Sequence, residues 1–137
     1  MIVLDTHALV WLIEGDSQLS LGARTLIEAA RAEDGAFVSA ITPWEISMLV
    51  NKGRIHLAMP VDDWMDFVFG LEGVLLAPLT AATGVDAGTL PGTIHGDPVD
   101  RIVIATARAL RCPLLTSDRG ILRYAEKGHV RVINAGK

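Results

Sequence analysis

The chain has 137 residues, half of them apolar and a fifth charged, with a net charge of −4 at pH 7. This composition excludes a disordered chain and is typical of one folded domain with its own hydrophobic core. The single cysteine, Cys112, excludes an internal disulfide and a zinc site built from cysteines, and it suits a reducing cytoplasm. We therefore predict one cytoplasmic domain that spans residues 1–137.

The charge is distributed unevenly along the chain. Residues 1–96 carry 4 basic and 12 acidic side chains, whereas residues 97–137 carry 8 basic and 4 acidic ones. The net acidity argues against a nonspecific nucleic-acid binder, yet the basic end offers one side of the molecule to phosphates. The first five residues lack the basic region of a signal peptide, and the longest uncharged run, residues 73–85, contains a proline and a glycine. We expect no membrane span.

The first third of the chain alternates strand and helix patterns. Residues 1–4 are continuously apolar, as in a central strand that is buried on both faces, and residues 8–13 change to a helical composition. A second helix is predicted over residues 19–31, with Ser20 as its N-cap. Its expected apolar stripe consists of Leu21, Leu26, Ile27 and Ala30.

A second strand is predicted over residues 36–39, and a capping box follows it. In the segment Thr42-Pro43-Trp44-Glu45 we expect Thr42 as the N-cap and Glu45 at the third helical position. This helix is predicted to end before Gly53. The next helix, over residues 62–71, has an expected apolar face of Trp64, Phe67, Val68 and Leu71.

The rest of the chain continues the alternation. A strand over residues 73–76, a short helix over 80–88 and a loop over 90–96 precede the predicted N-cap Asp97. After Asp97, Pro98 begins a helix and Asp100 is its third residue. The last predicted elements are a strand over 113–118, a helix over 121–124 and a strand over 130–133. Strands separated by helices predict an α/β domain, with a central parallel sheet of four to five strands and helices on both faces.

Four acidic residues from distant parts of the chain fall on one edge of this predicted sheet. Asp5 and Asp118 follow strands, while Glu45 and Asp100 lie in the first turns of helices. Capping or turn formation explains each residue alone, but not why all four share the edge where ligands bind to α/β sheets. Gathered carboxylates repel one another, and oxygen ligands favour Mg²⁺ or Mn²⁺ over zinc. Such a metal site suits phosphodiester hydrolysis.

Four segments of the chain resemble the PIN-domain ribonucleases. They are Asp5-Thr6 after an apolar strand, Glu45 at the start of a helix, the segment HGDPVDRIVIATA from His95, and LLTSD ending at Asp118. Within this family the chain is similar to VapC-type toxins of toxin–antitoxin pairs over essentially its whole length. The four segments together are specific for this family, whereas no single segment is.

The resemblance implies a PIN-like fold and roles for particular residues. The implied catalytic and metal-binding set is Asp5, Glu45, Asp100 and Asp118. Asp97 matches a variant of the motif with one additional acid, and Thr6 and Ser117 match hydroxyls that position metal-bound water or a neighbouring carboxylate. The resemblance also implies Mg²⁺-dependent endonucleolytic cleavage of RNA, with Mn²⁺ as a substitute.

The resemblance further implies partners. It indicates a homodimer that is inhibited by a small VapB-like antitoxin, which in related complexes lies in an apolar groove. By this analogy the groove would involve Leu9, Leu12, Trp44, Ile46 and Leu49, for which packing in the core is the alternative. Four basic side chains are candidates for contacts with RNA phosphates, namely Arg101, Arg108, Arg119 and Arg123. Arg101 could instead pair with the acidic cluster.

Other functions remain as alternatives. A PIN-like domain could bind RNA or a protein without cutting, although the acidic set is complete in this sequence. A receiver-like signalling domain would need an acid after the third strand, where the sequence continues Ala77-Pro78. A dehalogenase-type phosphatase would need an aspartate at the position of His7. His7 and His95 flank the predicted site, where a histidine serves in capping or packing or takes part in catalysis.

Overall fold

Five short strands form one parallel sheet. In the computed structural model, which describes all of residues 1–137, they are β1 (Ile2–Leu4), β2 (Ala36–Ser39), β3 (Val74–Ala77), β4 (Leu114–Thr116) and β5 (Val132–Asn134). The strand order is β3-β2-β1-β4-β5, and all neighbouring strands are parallel. The predicted α/β domain with a central parallel sheet is therefore confirmed.

Seven helices connect and cover the strands. They are α1 (Thr6–Glu14), α2 (Leu21–Ala32), α3 (Thr42–Asn51), α4 (Val61–Gly70), α5 (Ala81–Gly88), α6 (Pro98–Leu110) and α7 (Arg119–Ala125). None of them is both long enough and apolar enough to cross a membrane. Two of the predicted N-caps form as expected, because Ser20 accepts a hydrogen bond from the backbone of Ala23 and Asp97 accepts one from Asp100.

Helices cover both faces of the sheet. Successive side chains of a strand point to opposite faces, so Ile2 and Leu4 of β1 pack into one apolar cluster and Val3 packs into the other. The first cluster contains buried residues of α1 to α4, including Trp64. The second contains buried residues of α6 and α7, including Ile104. The carboxyl edge of the sheet is thus left between two layers of helices.

The predicted capping box of α3 is wrong. Ile41 occupies the N-cap position with helical backbone angles (φ −78°, ψ −21°), and no side chain caps the helix. Thr42 lies inside the first turn, where its side chain is buried and its hydroxyl has no hydrogen-bond partner. A capping hydroxyl requires an extended backbone at its own residue, and α3 begins too early for Thr42 to meet that condition. Glu45 nevertheless stays in the first turn.

Two expected apolar faces are only partly correct. In α2, Leu21 is 80% exposed and Leu26 43% exposed, while Ile27 and Ala30 are buried together with Ala23. The buried positions are spaced by four and three residues, the spacing of one helix face, whereas Leu21 and Leu26 lie off that face. Similarly, in α4 the buried residues are Trp64 and Val68, and Phe67 is 48% exposed.

Candidate metal centre

The fold brings the predicted acidic residues to the carboxyl edge of the sheet. Asp5 follows β1 directly, and Asp118 follows β4 as the N-cap of α7. Glu45 lies in the first turn of α3, and Asp100 lies in the first turn of α6. Because α6 begins at this edge, its first turn and its N-cap Asp97 face the ends of the strands. Five carboxylates from four parts of the chain thus share one small region.

Asp5 is the most deeply buried carboxylate of this region. Its Oδ1 accepts a hydrogen bond of 2.8 Å from the backbone N–H of Thr6, and its Oδ2 accepts one of 2.6 Å from the hydroxyl of Thr116. Burial raises the pKa of Asp5, and these two hydrogen bonds oppose the increase. The same two bonds fix the orientation of the carboxylate.

Thr116 joins two of the predicted site residues. Its hydroxyl oxygen donates to Asp5 and also accepts a hydrogen bond of 3.1 Å from the backbone N–H of Asp118. The family resemblance implied that Ser117 positions metal-bound water or a neighbouring carboxylate, but Ser117 lies next to Gly136 and makes no hydrogen bond to a carboxylate. The side chain that positions a carboxylate is therefore that of Thr116. The pairing of Leu4 with Leu115 places the next residues, Asp5 and Thr116, side by side.

His95 lies against two of the acids. The atoms of His95, Asp100 and Asp118 that can ligate a metal lie within 4.8 Å of one another. His95 Nε2 is 3.3 Å from Asp100 Oδ2. His95 Nδ1 accepts a hydrogen bond of 3.3 Å from the backbone N–H of Asp97. In a neutral imidazole this assignment leaves the proton on Nε2, facing Asp100.

Gly120 provides the space for this close approach. A Cβ atom at position 120 would lie 3.0 Å from His95 Nε2 and 3.1 Å from Asp118 Oδ1. Asp118 Oδ1 in turn accepts a hydrogen bond of 2.9 Å from the backbone N–H of Ile121, which holds the carboxylate at the start of α7. The missing side chain at Gly120 is therefore part of the geometry of the site.

The carboxylates strongly affect one another. Burial, followed by neighbouring negative charges, raises the pKa of Asp100 to about 8. Those charges belong to Asp5, Asp97, Asp118 and Glu45. Burial also raises the pKa of Glu45, with further contributions from Asp5 and Asp97. At neutral pH the protein alone therefore disfavours full ionisation of this cluster, and a bound cation would relieve the repulsion.

The residues present fit a hard divalent cation. The carboxylates of the site all offer oxygen, which is the ligand atom that Mg²⁺ and Mn²⁺ prefer. The buried hydroxyl of Thr6 lies against the carboxylate of Glu45, whose pKa it lowers, and it makes no other hydrogen bond within the protein. The water shell of a cation at this position would offer this hydroxyl a further partner.

The four arginines proposed to contact RNA fall into two groups. Arg101 donates hydrogen bonds to the backbone carbonyls of Ala87 (2.8 Å) and Ile94 (3.5 Å), so it does not pair with the acidic cluster as the alternative interpretation held. Arg108 is bound by both carboxylate oxygens of Asp86 at 2.8 and 3.3 Å. By contrast, Arg119 and Arg123 are exposed on α7, and their side chains form no ion pair or hydrogen bond.

The predicted antitoxin groove is largely filled by the core. Leu9, Ile46 and Leu49 are buried and pack within the protein, so the alternative interpretation holds for them. Trp44 is 56% exposed, and Leu12 is partly buried at the edge of the core. Trp44 lines an apolar cavity of about 330 Å³ whose wall also includes Glu45 and Asp97. An apolar surface thus adjoins the acidic site.

Fold and site together define an α/β domain with a cluster of carboxylates at the carboxyl edge of its sheet. Residues 2–127 match the PIN domain family, and the chain belongs to that family, as its motifs predicted. It is 35% identical over 131 residues to the protein named Ribonuclease VapC22 of Mycobacterium tuberculosis (strain ATCC 25618 / H37Rv), covering 96% of this chain and 97% of that one. The expected resemblance to VapC-type proteins is thereby confirmed.

Solved structures have the same fold at much lower identity. VapBC2 from Rickettsia felis, bound to a DNA fragment from its promoter, superposes with a TM-score of 0.69 at 18% identity, covering 98% of each chain. A toxin–antitoxin complex from Klebsiella pneumoniae gives 0.66 at 17% identity, covering 100% of this chain and 99% of that one. FitAcB from Neisseria gonorrhoeae gives 0.64 at 19% identity, covering 98% of each chain.

Proposed function

We propose that the chain is a Mg²⁺-dependent endoribonuclease, the toxin of a toxin–antitoxin pair, which hydrolyses phosphodiester bonds in RNA. Mn²⁺ would substitute for Mg²⁺. The observation that carries the proposal is the convergence of Asp100 and Asp118, with His95 against both, at the edge of the sheet. The likeness to a protein named a ribonuclease, over nearly the full length of both chains, supports the reaction class.

The proposed roles follow from the contacts of each side chain. Asp100 and Asp118 would hold the cation together with Asp5, which Thr116 orients. When bound, the cation supplies an activated water and stabilises negative charge on the scissile phosphate. Glu45 and the hydroxyl of Thr6, which lie against each other, would orient a water molecule. Nε2 of His95, 3.3 Å from Oδ2 of Asp100, would orient that carboxylate.

The proposed partners are an RNA substrate, a small VapB-like antitoxin and a second copy of the chain in a homodimer, all in the cytoplasm. Solved toxin–antitoxin complexes with the same fold support the antitoxin. Of the predicted groove, Trp44 and Leu12 retain surface to contact such a partner. Trp44 is also next to the acidic site, so a segment bound there would obstruct access to the metal.

Cleavage of a single-stranded RNA by the purified chain tests the proposed function. We expect no cleavage in EDTA, cleavage after addition of excess Mg²⁺ or Mn²⁺, and no cleavage by Asp100→Asn under either condition. Asp66→Asn, which changes an exposed carboxylate on α4, is the matched control and should cleave normally. A folded chain that cuts no RNA with either metal would support the non-catalytic alternative.

A further inference from the structure

A second cleft, with basic walls, lies at the opposite end of α6 from the acidic site. Its volume is about 300 Å³, and its walls include Arg108, Arg111, His129 and Arg131. Asp86 neutralises Arg108, whereas the side chains of Arg111 and Arg131 are exposed and form no ion pair. Arg131 donates a hydrogen bond of 3.0 Å to the backbone carbonyl of Arg111, which holds its guanidinium at the mouth of the cleft. Two uncompensated guanidinium groups therefore share this cleft.

A row of cations runs from the acidic site toward this cleft. Arg119 and Arg123 lie four residues apart on α7, and Lys127 lies four residues further on. Side chains with this spacing lie on one face of a helix, and the backbone of Lys127 still bonds to the carbonyl of Tyr124 in a helical turn. All three side chains are exposed. The row begins next to Asp118 and ends beside Gly128, which lines the cleft.

The distance between the two sites corresponds to a short stretch of RNA. From Asp100 to Arg111, α6 rises about 1.5 Å per residue, which separates the two ends by about 17 Å. A stacked nucleic-acid strand advances about 3.4 Å per phosphate, so the separation equals roughly five nucleotides. Residues 1–96 have a net charge of −8 and would repel a polyanion, which leaves the face of α7 as the favourable approach.

We propose that the cleft formed by Arg111 and Arg131 binds backbone phosphates of single-stranded RNA, about five nucleotides from the scissile bond, with the strand following α7. This inference rests on the proposed ribonuclease function. Guanidinium groups bind phosphate oxygens in a forked geometry, so they suit backbone contacts. The bound strand would thus be held by its charge, independently of its base sequence.

The test compares two double variants of equal charge. Arg111→Asn/Arg131→Gln removes the cleft cations, and asparagine tolerates the left-handed backbone of position 111 (φ 54°). Lys52→Gln/Arg54→Gln removes two exposed cations after α3 and is the control. Affinity for a labelled single-stranded RNA of about 12 nucleotides, longer than the span between the two sites, is measured by fluorescence anisotropy in EDTA, where no cleavage occurs.

We expect the cleft variant to bind this RNA about tenfold more weakly than wild type at moderate salt, and the control within about twofold. The slope of log affinity against log salt should fall by about 1.4 for the cleft variant, because each single-strand phosphate contact contributes about 0.7. Equal losses in both double variants would overturn the proposal, since they would reflect overall charge alone.

Two further measurements distinguish a failure of the cleft proposal from a failure of the proposed ribonuclease function. With Mg²⁺ present, the cleft variant should show a raised KM for the long RNA and an unchanged KM for a trinucleotide, which is too short to reach the cleft. If no RNA is cleaved, the proposed function fails while binding in EDTA still tests the cleft. With inorganic phosphate as the probe, phosphate binding that the cleft variant loses, together with unchanged RNA affinity, would identify a small-anion site and contradict the RNA proposal.

Discussion

The hydroxyl of Thr116 donates a hydrogen bond of 2.6 Å to Oδ2 of Asp5, across the junction of β1 and β4. The same oxygen accepts the N–H of Asp118, so one side chain sets the positions of two carboxylates. Supporting contacts of this kind orient metal ligands, and their loss commonly lowers metal affinity by one to two orders of magnitude, roughly 10- to 100-fold.

Removal of the Thr116 hydroxyl should weaken metal binding and destabilise the folded protein. Thr116→Val keeps the shape of the side chain but leaves the buried Asp5 without one of its two donors. We expect the affinity for Mn²⁺ to fall about tenfold and the free energy of unfolding to fall by about 1–3 kcal/mol. Titration calorimetry and chemical denaturation measure the two effects.

A matched control exists within α6. The buried hydroxyl of Thr106 bonds only to the backbone carbonyl of Ile102, so Thr106→Val should leave metal affinity unchanged. Equal Mn²⁺ affinity in wild type and Thr116→Val would contradict the role given to Thr116.

The raised pKa of Asp100 predicts a pH dependence of stability in the metal-free protein. The folded protein holds the Asp100 proton up to about pH 8, whereas the unfolded chain releases it near pH 3.8, the ordinary pKa of an aspartate. The folded state therefore binds more protons in this window, and the free energy of unfolding falls as pH rises from about 4 to about 8. The pKa values of Asp5 and Glu45 are raised too, so they act in the same direction.

Asp100→Asn should remove much of this dependence. At pH 8 in EDTA we expect the variant to be more stable than wild type by about 2 kcal/mol, or roughly 5 °C in Tm, because a repelled charge is gone. Thermal denaturation of wild type, Asp100→Asn and the exposed control Asp66→Asn from pH 4 to 8 measures this. Parallel pH profiles for all three proteins would refute the coupling of Asp100 to the cluster.

The close packing around Gly120 predicts that a side chain at this position would weaken metal binding. In Gly120→Ala the new methyl group would crowd His95 and Asp118, so we expect metal affinity to fall severalfold even though alanine favours a helix by about 1 kcal/mol. Gly84→Ala in α5 is the control, because a Cβ there meets no atom within 4 Å. If both variants bind Mn²⁺ like wild type, the close packing at Gly120 has no functional importance.

The sheet and the acidic edge were predictable from local patterns. Short apolar runs separated by helical segments suffice to predict parallel strands. Because the carboxyl ends of such strands share one edge of the sheet, the sequence alone predicts that Asp5 and Asp118 lie near each other. The proline and N-cap of α6 gave the position of Asp100 in the same way. These features depend on residues close together in sequence.

What sequence patterns missed depends on contacts between distant segments. The bond between Thr116 and Asp5 joins residues 111 positions apart and requires the register of β1 and β4. The contact of His95 with Asp100 depends on the shape of an irregular loop, for which no periodicity exists. The exposure of Phe67 follows from tertiary packing, which local hydrophobicity does not determine.

The central claim is that the clustered carboxylates bind a divalent cation, and Mn²⁺ titration of the purified chain by calorimetry tests it most directly. We predict binding that tightens as pH rises toward 8, because the cation displaces the proton of Asp100. Asp100→Asn should bind at least about tenfold more weakly, with Asp66→Asn unchanged. Mn²⁺ binding that is equal in all three proteins, or absent from the folded wild type, would contradict the account.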